Sequence, residues 1–83
     1  MGELIGIFVR ICFSDPNRQT IEGLVVGFTE PMLWLLQGKY TSGTFTPTSQ
    51  DVVLVNTLVT TIITTSGRPQ NTKQYLSGHK VTK

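Results

Sequence analysis

Side chains capable of chemistry are few in this sequence and lie far apart along it. Cys12 sits in an apolar run and His79 stands near the end, so neither has a neighbouring base or nucleophile in the chain. The five acidic residues are scattered, without the spacing of a metal site or of paired catalytic carboxylates. We therefore expect no enzyme, no bound metal and no other cofactor. Cys12 is expected to be a small buried residue of the fold.

Basic residues paired with aromatic residues are the remaining candidates for ligand binding. Lys39 precedes Tyr40, and Arg68 and Lys73 are followed by Tyr75. Cations attract phosphates and aromatic rings stack on bases, which are the two contacts that single-stranded nucleic acid offers. Such pairs are also common on surfaces that bind nothing, so solvated surface is the alternative interpretation.

The composition indicates one small globular domain. The chain has 83 residues, of which 39% are hydrophobic and 14% charged, which is too apolar for disorder and too lightly charged for a coiled coil. All five acids lie in residues 1–51, and residues 52–83 are basic without any acid. A basic C-terminal segment attracts polyanions, or it simply keeps a protein soluble. No membrane span is expected, and the single cysteine and the lack of a secretory signal pattern favour the cytoplasm.

Alternating apolar residues and turn signals predict five β-strands joined by short connections. Gly23 and Gly27 fall inside the second strand, where glycines indicate a bulge or a sharp bend. Residues 38–49 are rich in Thr, Ser and Gly and predict a long loop or an extended hairpin. Near the C-terminus, Asn71 is expected to cap one helical turn. The predicted strands cover residues 5–13, 20–29, 32–36, 52–55 and 58–65.

Five strongly bent antiparallel strands in one short chain predict an all-β protein with a small barrel, and barrels of the SH3 type and of the OB type both fit this strand count. Residues 1–67 would form the barrel, and residues 68–83 would form a basic tail that is partly disordered or contains a short helix. Residues 52–67 are uncharged, rich in β-formers and free of proline, which is typical of a strand that aggregates when exposed. We therefore expect the last strands, Val52 to Thr65, to pair with another copy and close a homo-oligomeric ring. The alternative is a closed monomeric barrel that contains both strands.

The segment from Gly23 to Leu36, GLVVGFTEPMLWLL, resembles the first motif of the Sm and Sm-like proteins. The two glycines, the aromatic residue and the methionine of that motif correspond to Gly23, Gly27, Phe28 and Met32. The resemblance covers residues 5–65, with residues 9–13 similar to the family's first strand and 51–63 in the place of its second motif. It implies an Sm-like barrel that assembles into a ring around a central opening.

The departures from the family pattern fall on its functional positions. The family's Asp is Thr29 here, its base-contacting Asn is Leu33, and its stacking aromatic residue is Pro31. Its Arg-Gly turn is replaced by Asn56-Thr57. The uridine pocket of the family is thus not reproduced, so the resemblance supports the fold and the ring more than it supports uridine recognition.

Together these observations predict a ring that binds single-stranded nucleic acid, with RNA the favoured candidate over DNA, and that has a role in RNA or DNA processing or chaperoning. The alternative is a structural adaptor ring that contacts protein instead. Asn56 also has an alternative role in plain turn chemistry, and Trp34 is expected to pack in the core or between subunits. The expected nucleic-acid-binding residues are Glu30, Pro31, Lys39, Tyr40, Asn56, Thr57, Arg68 and Lys73.

Overall fold

A computed structural model describes residues 2–58 and 61–76 of the chain. It contains five antiparallel β-strands and one short α-helix, so the predicted all-β class is confirmed. The strands are β1 (Phe8–Phe13), β2 (Ile21–Thr29), β3 (Met32–Thr41), β4 (Thr44–Asn56) and β5 (Thr61–Gly67). A 3-10 turn (Gly2–Leu4) precedes them and α1 (Thr72–Leu76) follows them.

The strands form one strongly bent, barrel-like sheet in the order β4-β3-β2-β1-β5. The first four strands are neighbours in sequence, whereas β5 comes from the far end of the chain to pair with β1. Within residues 2–58 and 61–76, β4 and β5 do not pair with each other, and each has one unpaired edge.

Glycine allows β2 and β3 to approach closely where the sheet bends. A Cβ atom on Gly23 would lie 2.4 Å from the carbonyl oxygen of Leu36 and 2.8 Å from the Cα atom of Gln37. The register of β2 on β3 then shifts between Val25 and Gly27, which marks a bulge. Bulges increase the local twist and bend of a strand, so both glycines lie where the sequence predicted a bend.

Apolar side chains fill both faces of the sheet. The inner cluster consists of Val9, Ile11, Val25, Leu33, Leu35 and Val55. The outer cluster consists of Phe8, Leu24, Val26, Leu36 and Phe45, and it is covered by side chains that include Trp34, Tyr40, Tyr75 and Leu76. Because two of these covering residues belong to α1, the helix shields a face of the sheet that would otherwise be exposed to water.

Trp34 packs against the outer cluster, on the same face as Leu36. Its Nε1 atom is buried and has no hydrogen-bond partner among the described residues.

Residues 38–47 form a regular hairpin, so of the two predicted alternatives for the segment 38–49 the extended hairpin is the one observed, and the long loop was wrong. Ser42 and Gly43 both have positive φ angles, 54° and 79°, as the two-residue turn of a tight hairpin requires. The Thr-rich flanks continue β3 and β4, because threonine is a good strand former.

Three further expectations need correction. The first strand begins at Phe8, because Gly6 has a φ angle of 90° that interrupts an extended chain. Cys12 is half-buried on the face opposite Ile11, where it accepts a hydrogen bond from the Thr20 hydroxyl at 3.7 Å. The side chain of Asn71 bonds the backbone of Phe45 and is not a helix cap. Part of the predicted last strand, residues 59–60, lies outside the described residues, as does His79.

No helix in the described ranges is long and apolar enough to cross a membrane.

Candidate nucleic-acid interface

The structure brings the two predicted loop pairs together at one end of the sheet. Glu30 and Pro31 form the turn between β2 and β3, and Thr57 follows the end of β4. Met32 pairs with Asn56 in the sheet, and the backbone N–H of Thr57 donates to the carbonyl oxygen of Pro31 at 2.9 Å. We call Glu30, Pro31, Asn56 and Thr57 the turn group.

Most polar atoms of the turn group are used within the chain. The hydroxyl of Thr57 donates to the Pro31 carbonyl oxygen at 2.7 Å, and Oδ1 of Asn56 accepts from the backbone N–H of Leu58 at 2.9 Å. The latter contact is the turn chemistry that was the alternative role of Asn56. The Asn56 amino group makes no hydrogen bond within the described chain, and Glu30 adds an exposed negative charge. This end therefore offers one free donor and a carboxylate that repels phosphate.

Lys39 belongs to a charged cluster at the opposite end of β3. Its Nζ atom lies 3.3 Å from Oε2 of Glu22, while Nη2 of Arg10 lies 3.5 Å from Oε1 of the same carboxylate. We call Arg10, Glu22 and Lys39 the charge cluster. Arg10 and Lys39 are largely exposed, so these ion pairs are weak and a phosphate can compete for both cations.

Arg10 is a candidate that the sequence prediction missed. It faces Glu22 directly in the β1–β2 register, and a groove of about 320 Å³ beside it is lined by Arg10, Cys12, Thr20 and Glu22. Alternation gave a usable signal, because Val9 and Ile11 face the core and residue 10 must face outward.

Tyr40 is less available for stacking than its sequence position suggested. The ring is half-buried and lies 5.2 Å from the ring of Phe8, centroid to centroid. The Tyr40 hydroxyl lies against Gly67, the last residue of β5. Its main role is to cover the outer cluster.

Arg68 and Lys73 are exposed beyond β5. Nη1 of Arg68 donates to the carbonyl oxygen of Ile5 at 3.4 Å, which ties the segment after β5 to the segment before β1. Lys73 lies on α1. The eight predicted residues thus fall into two sets. Four form the turn group at one end of β3. The other four are Lys39 and Tyr40, near the opposite end of β3, and Arg68 and Lys73, beyond β5.

The charge of the described region is balanced. It contains the five acids and five of the seven basic residues of the chain, and Lys80 and Lys83 supply the formal net charge of +2. Among the described residues, no group of three or more His, Cys, Asp or Glu side chains lies close enough to hold a metal ion.

No family model, no curated protein and no solved structure matches this chain.

Proposed function

We propose that the chain is the subunit of an Sm-like homo-oligomeric ring that binds single-stranded nucleic acid in the cytoplasm. The observation that carries the assembly is the pair of unpaired edges on β4 and β5. Each edge strand presents a large apolar side chain to water, since Leu54 is 52% exposed and Ile62 is 68% exposed. Natural sheets rarely leave such edges bare, because they template pairing with another chain.

Pairing of β4 with β5 of the next copy is head-to-tail. Each subunit then uses both of its edges and leaves none open once the rotation closes. The same contact removes Leu54 and Ile62 from water. The resemblance of residues 5–65 to Sm-like proteins supports the same arrangement.

Single-stranded nucleic acid is the proposed ligand, with RNA the favoured candidate over DNA, and it is bound mainly through phosphates. All five described basic side chains are exposed: Arg10, Arg18, Lys39, Arg68 and Lys73. Because the described region is balanced in charge, one subunit binds weakly, and affinity comes from repetition around the ring. We expect modest affinity and low sequence selectivity, which suits RNA or DNA processing or chaperoning.

A structural adaptor ring is the second candidate, and the turn group favours it. The hydrogen bonds of Thr57 and Asn56 are made internally, and Glu30 is acidic. Leu58 follows directly and is 80% exposed. An exposed apolar side chain suits a protein partner better than a phosphate backbone.

The assembly is tested by light scattering of the purified protein at micromolar concentration. The parent should form one closed oligomer, and Ile62→Lys should dissociate it, because the substitution places a charge in a strand interface. Gln74→Lys adds the same charge at an exposed position of α1 and should leave the oligomer intact. A clean monomer of the parent would refute the ring.

The ligand is tested by fluorescence anisotropy with labelled oligo-U, oligo-A and oligo-dT at low and moderate salt. Binding should weaken steeply with salt, as phosphate contacts require. Replacing Lys39, Arg68 and Lys73 together with Ala should weaken binding of the three sequences equally and flatten the salt dependence. An intact ring that binds none of the three at low salt would leave the adaptor function.

A further inference from the structure

A further irregularity of the sheet lies in β4, beside a groove. Leu36 pairs with Val52 and Gly38 pairs with Pro47, so Gln37 alone faces the four residues 48–51. The surplus residues form a bulge, which contains a hydrogen bond from the backbone N–H of Asp51 to Oγ of Ser49 at 3.1 Å. Bulges occur often beside binding sites, where they redirect side chains.

A groove of about 400 Å³ lies between this bulge and α1. Its volume is within the range of small-molecule sites. The lining residues are Leu36, Pro47, Ser49, Gln50 and Tyr75. We call this the bulge groove.

The wall formed by α1 is held in place by specific contacts. Oδ1 of Asn71 accepts from the backbone N–H of Phe45 at 3.0 Å, and Nδ2 of Asn71 donates to the Phe45 carbonyl oxygen at 2.8 Å. The backbone N–H of Gln70 donates to the Gly43 carbonyl oxygen at 2.8 Å. The Tyr75 ring meets the Phe45 ring edge to face, at 5.2 Å and 88°. The Tyr75 ring is therefore fixed before any ligand arrives.

The bulge groove contains unused hydrogen-bonding groups, and none of its described lining residues is charged. The side-chain amide of Gln50 has no hydrogen-bond partner within residues 2–58 and 61–76. Ser49 accepts a hydrogen bond through its oxygen, so its own hydroxyl proton remains available. Asp51, the residue after Gln50, would repel a phosphate but not a neutral ring.

These features fit a flat, uncharged ring with donors and acceptors on its edge. A fixed tyrosine ring and the apolar Pro47 offer surfaces for stacking beside the buried Leu36, and Gln50 offers both a donor and an acceptor. Proteins recognise unstacked bases of single strands by the same combination of aromatic stacking and edge hydrogen bonds.

We propose that the bulge groove is a nucleobase-binding pocket, one for each subunit. The proposal rests on the proposed nucleic-acid-binding function and deepens it, because it adds base contacts to the phosphate contacts of the basic side chains. The pocket is separate from the turn group, where the resemblance to Sm-like proteins had placed base contacts. Phosphates would lie outside the pocket, away from Asp51.

The test compares an ordinary labelled oligo-A or oligo-U with an abasic oligonucleotide of the same length, using the assembled full chain. The abasic strand keeps the phosphates and lacks the bases. The parent should bind the ordinary strand about tenfold more tightly than the abasic strand. Tyr75→Leu and Gln50→Ala should each reduce this ratio severalfold and leave abasic binding unchanged.

Two exposed neighbours serve as matched controls. Thr48→Ala lies in the same bulge and Gln74→Ala in the same helix, and neither residue lines the groove. Both should keep the parent's ratio. Gln50 is exposed, so its replacement tests the pocket even if Tyr75→Leu loosens α1. A parent that binds both strands equally, or variants that keep the full ratio, would overturn the pocket.

Failure of the proposed function has a different signature. If neither strand binds at low salt, the function as a nucleic-acid-binding ring is wrong. The pocket is then tested by adding free adenosine or uridine at millimolar concentration and recording the NMR signals of the Gln50 side-chain amide. Saturable shifts that disappear in Tyr75→Leu support the pocket, and unchanged signals overturn it.

Discussion

Replacement of Gly23 is the sharpest test of the bent sheet. A Cβ atom at this position would meet the Leu36 carbonyl oxygen at 2.4 Å, whereas ordinary Cβ contacts begin at 3.4 Å. The β2–β3 backbones must therefore separate by about 1 Å in a closely packed structure. The Leu36 carbonyl oxygen and the Gln37 Cα atom, which block this position, both belong to the backbone, so no side-chain rotation relieves the contact.

The cost of Gly23→Ala follows from two opposing terms. Overpacking of this kind costs up to about 3 kcal/mol, and the loss of glycine's freedom in the unfolded chain returns up to about 1 kcal/mol. The net loss is about 2 kcal/mol, which lowers the melting temperature of a chain of this size by about 8–16 °C. Gly23→Val should be worse, because its two additional methyl groups meet the same strand.

The assay is thermal and urea unfolding followed by circular dichroism, at one protein concentration for all variants. Gln19→Ala, an exposed substitution in the β1–β2 connection, is the control and should melt with the parent. A Gly23→Ala protein that melts within about 3 °C of the parent would show that the two strands do not need this close approach.

Three further substitutions test individual contacts. Asn71→Ala should cost about 2 kcal/mol, because it removes two hydrogen bonds to the Phe45 backbone, and hydrogen exchange at the Phe45 amide should accelerate in parallel. Asn56→Ala should reduce the free energy of unfolding by under about 1 kcal/mol. It should leave the relative affinities for oligo-U and oligo-A unchanged, because Oδ1 of Asn56 already accepts a hydrogen bond from the backbone N–H of Leu58. A changed order of the two affinities in the anisotropy assay would contradict this. Lys39→Ala should change the unfolding free energy by less than about 0.5 kcal/mol, because its ion pair is exposed, yet it should flatten the salt dependence of oligonucleotide binding.

The strands and their bends were predictable from the sequence because they depend on local chemistry. Period-two alternation identified the strands, and Gly23 and Gly27 marked the bend. The length of the β3–β4 hairpin was not predictable from the sequence, because a Thr- and Ser-rich composition suits both a loop and an edge strand. The feature that distinguishes a hairpin from a loop here is the two-residue turn at Ser42-Gly43, where both φ angles are positive.

The site was partly predictable for the same reason. The meeting of Glu30-Pro31 with Asn56-Thr57 follows from adjacent turns in an antiparallel sheet. The bulge groove could not be foreseen, because it depends on the register of β4 against β3 and on the position of α1 over Phe45. No local pattern encodes a register in which one residue faces four.

The position of β5 beside β1 implies an order in which the strands can pair. The first four strands pair with sequence neighbours and can form while the chain is still being made, whereas β5 has to close the longest loop of the fold, bringing Gly67 to Phe8. Ile63 enters the inner cluster only at that step. Among the strands, the outer edge of β5, with Ile62, is therefore created last. In the proposed ring, a subunit offers this edge to a neighbour only after β5 has joined β1, so assembly would select chains whose sheet is complete.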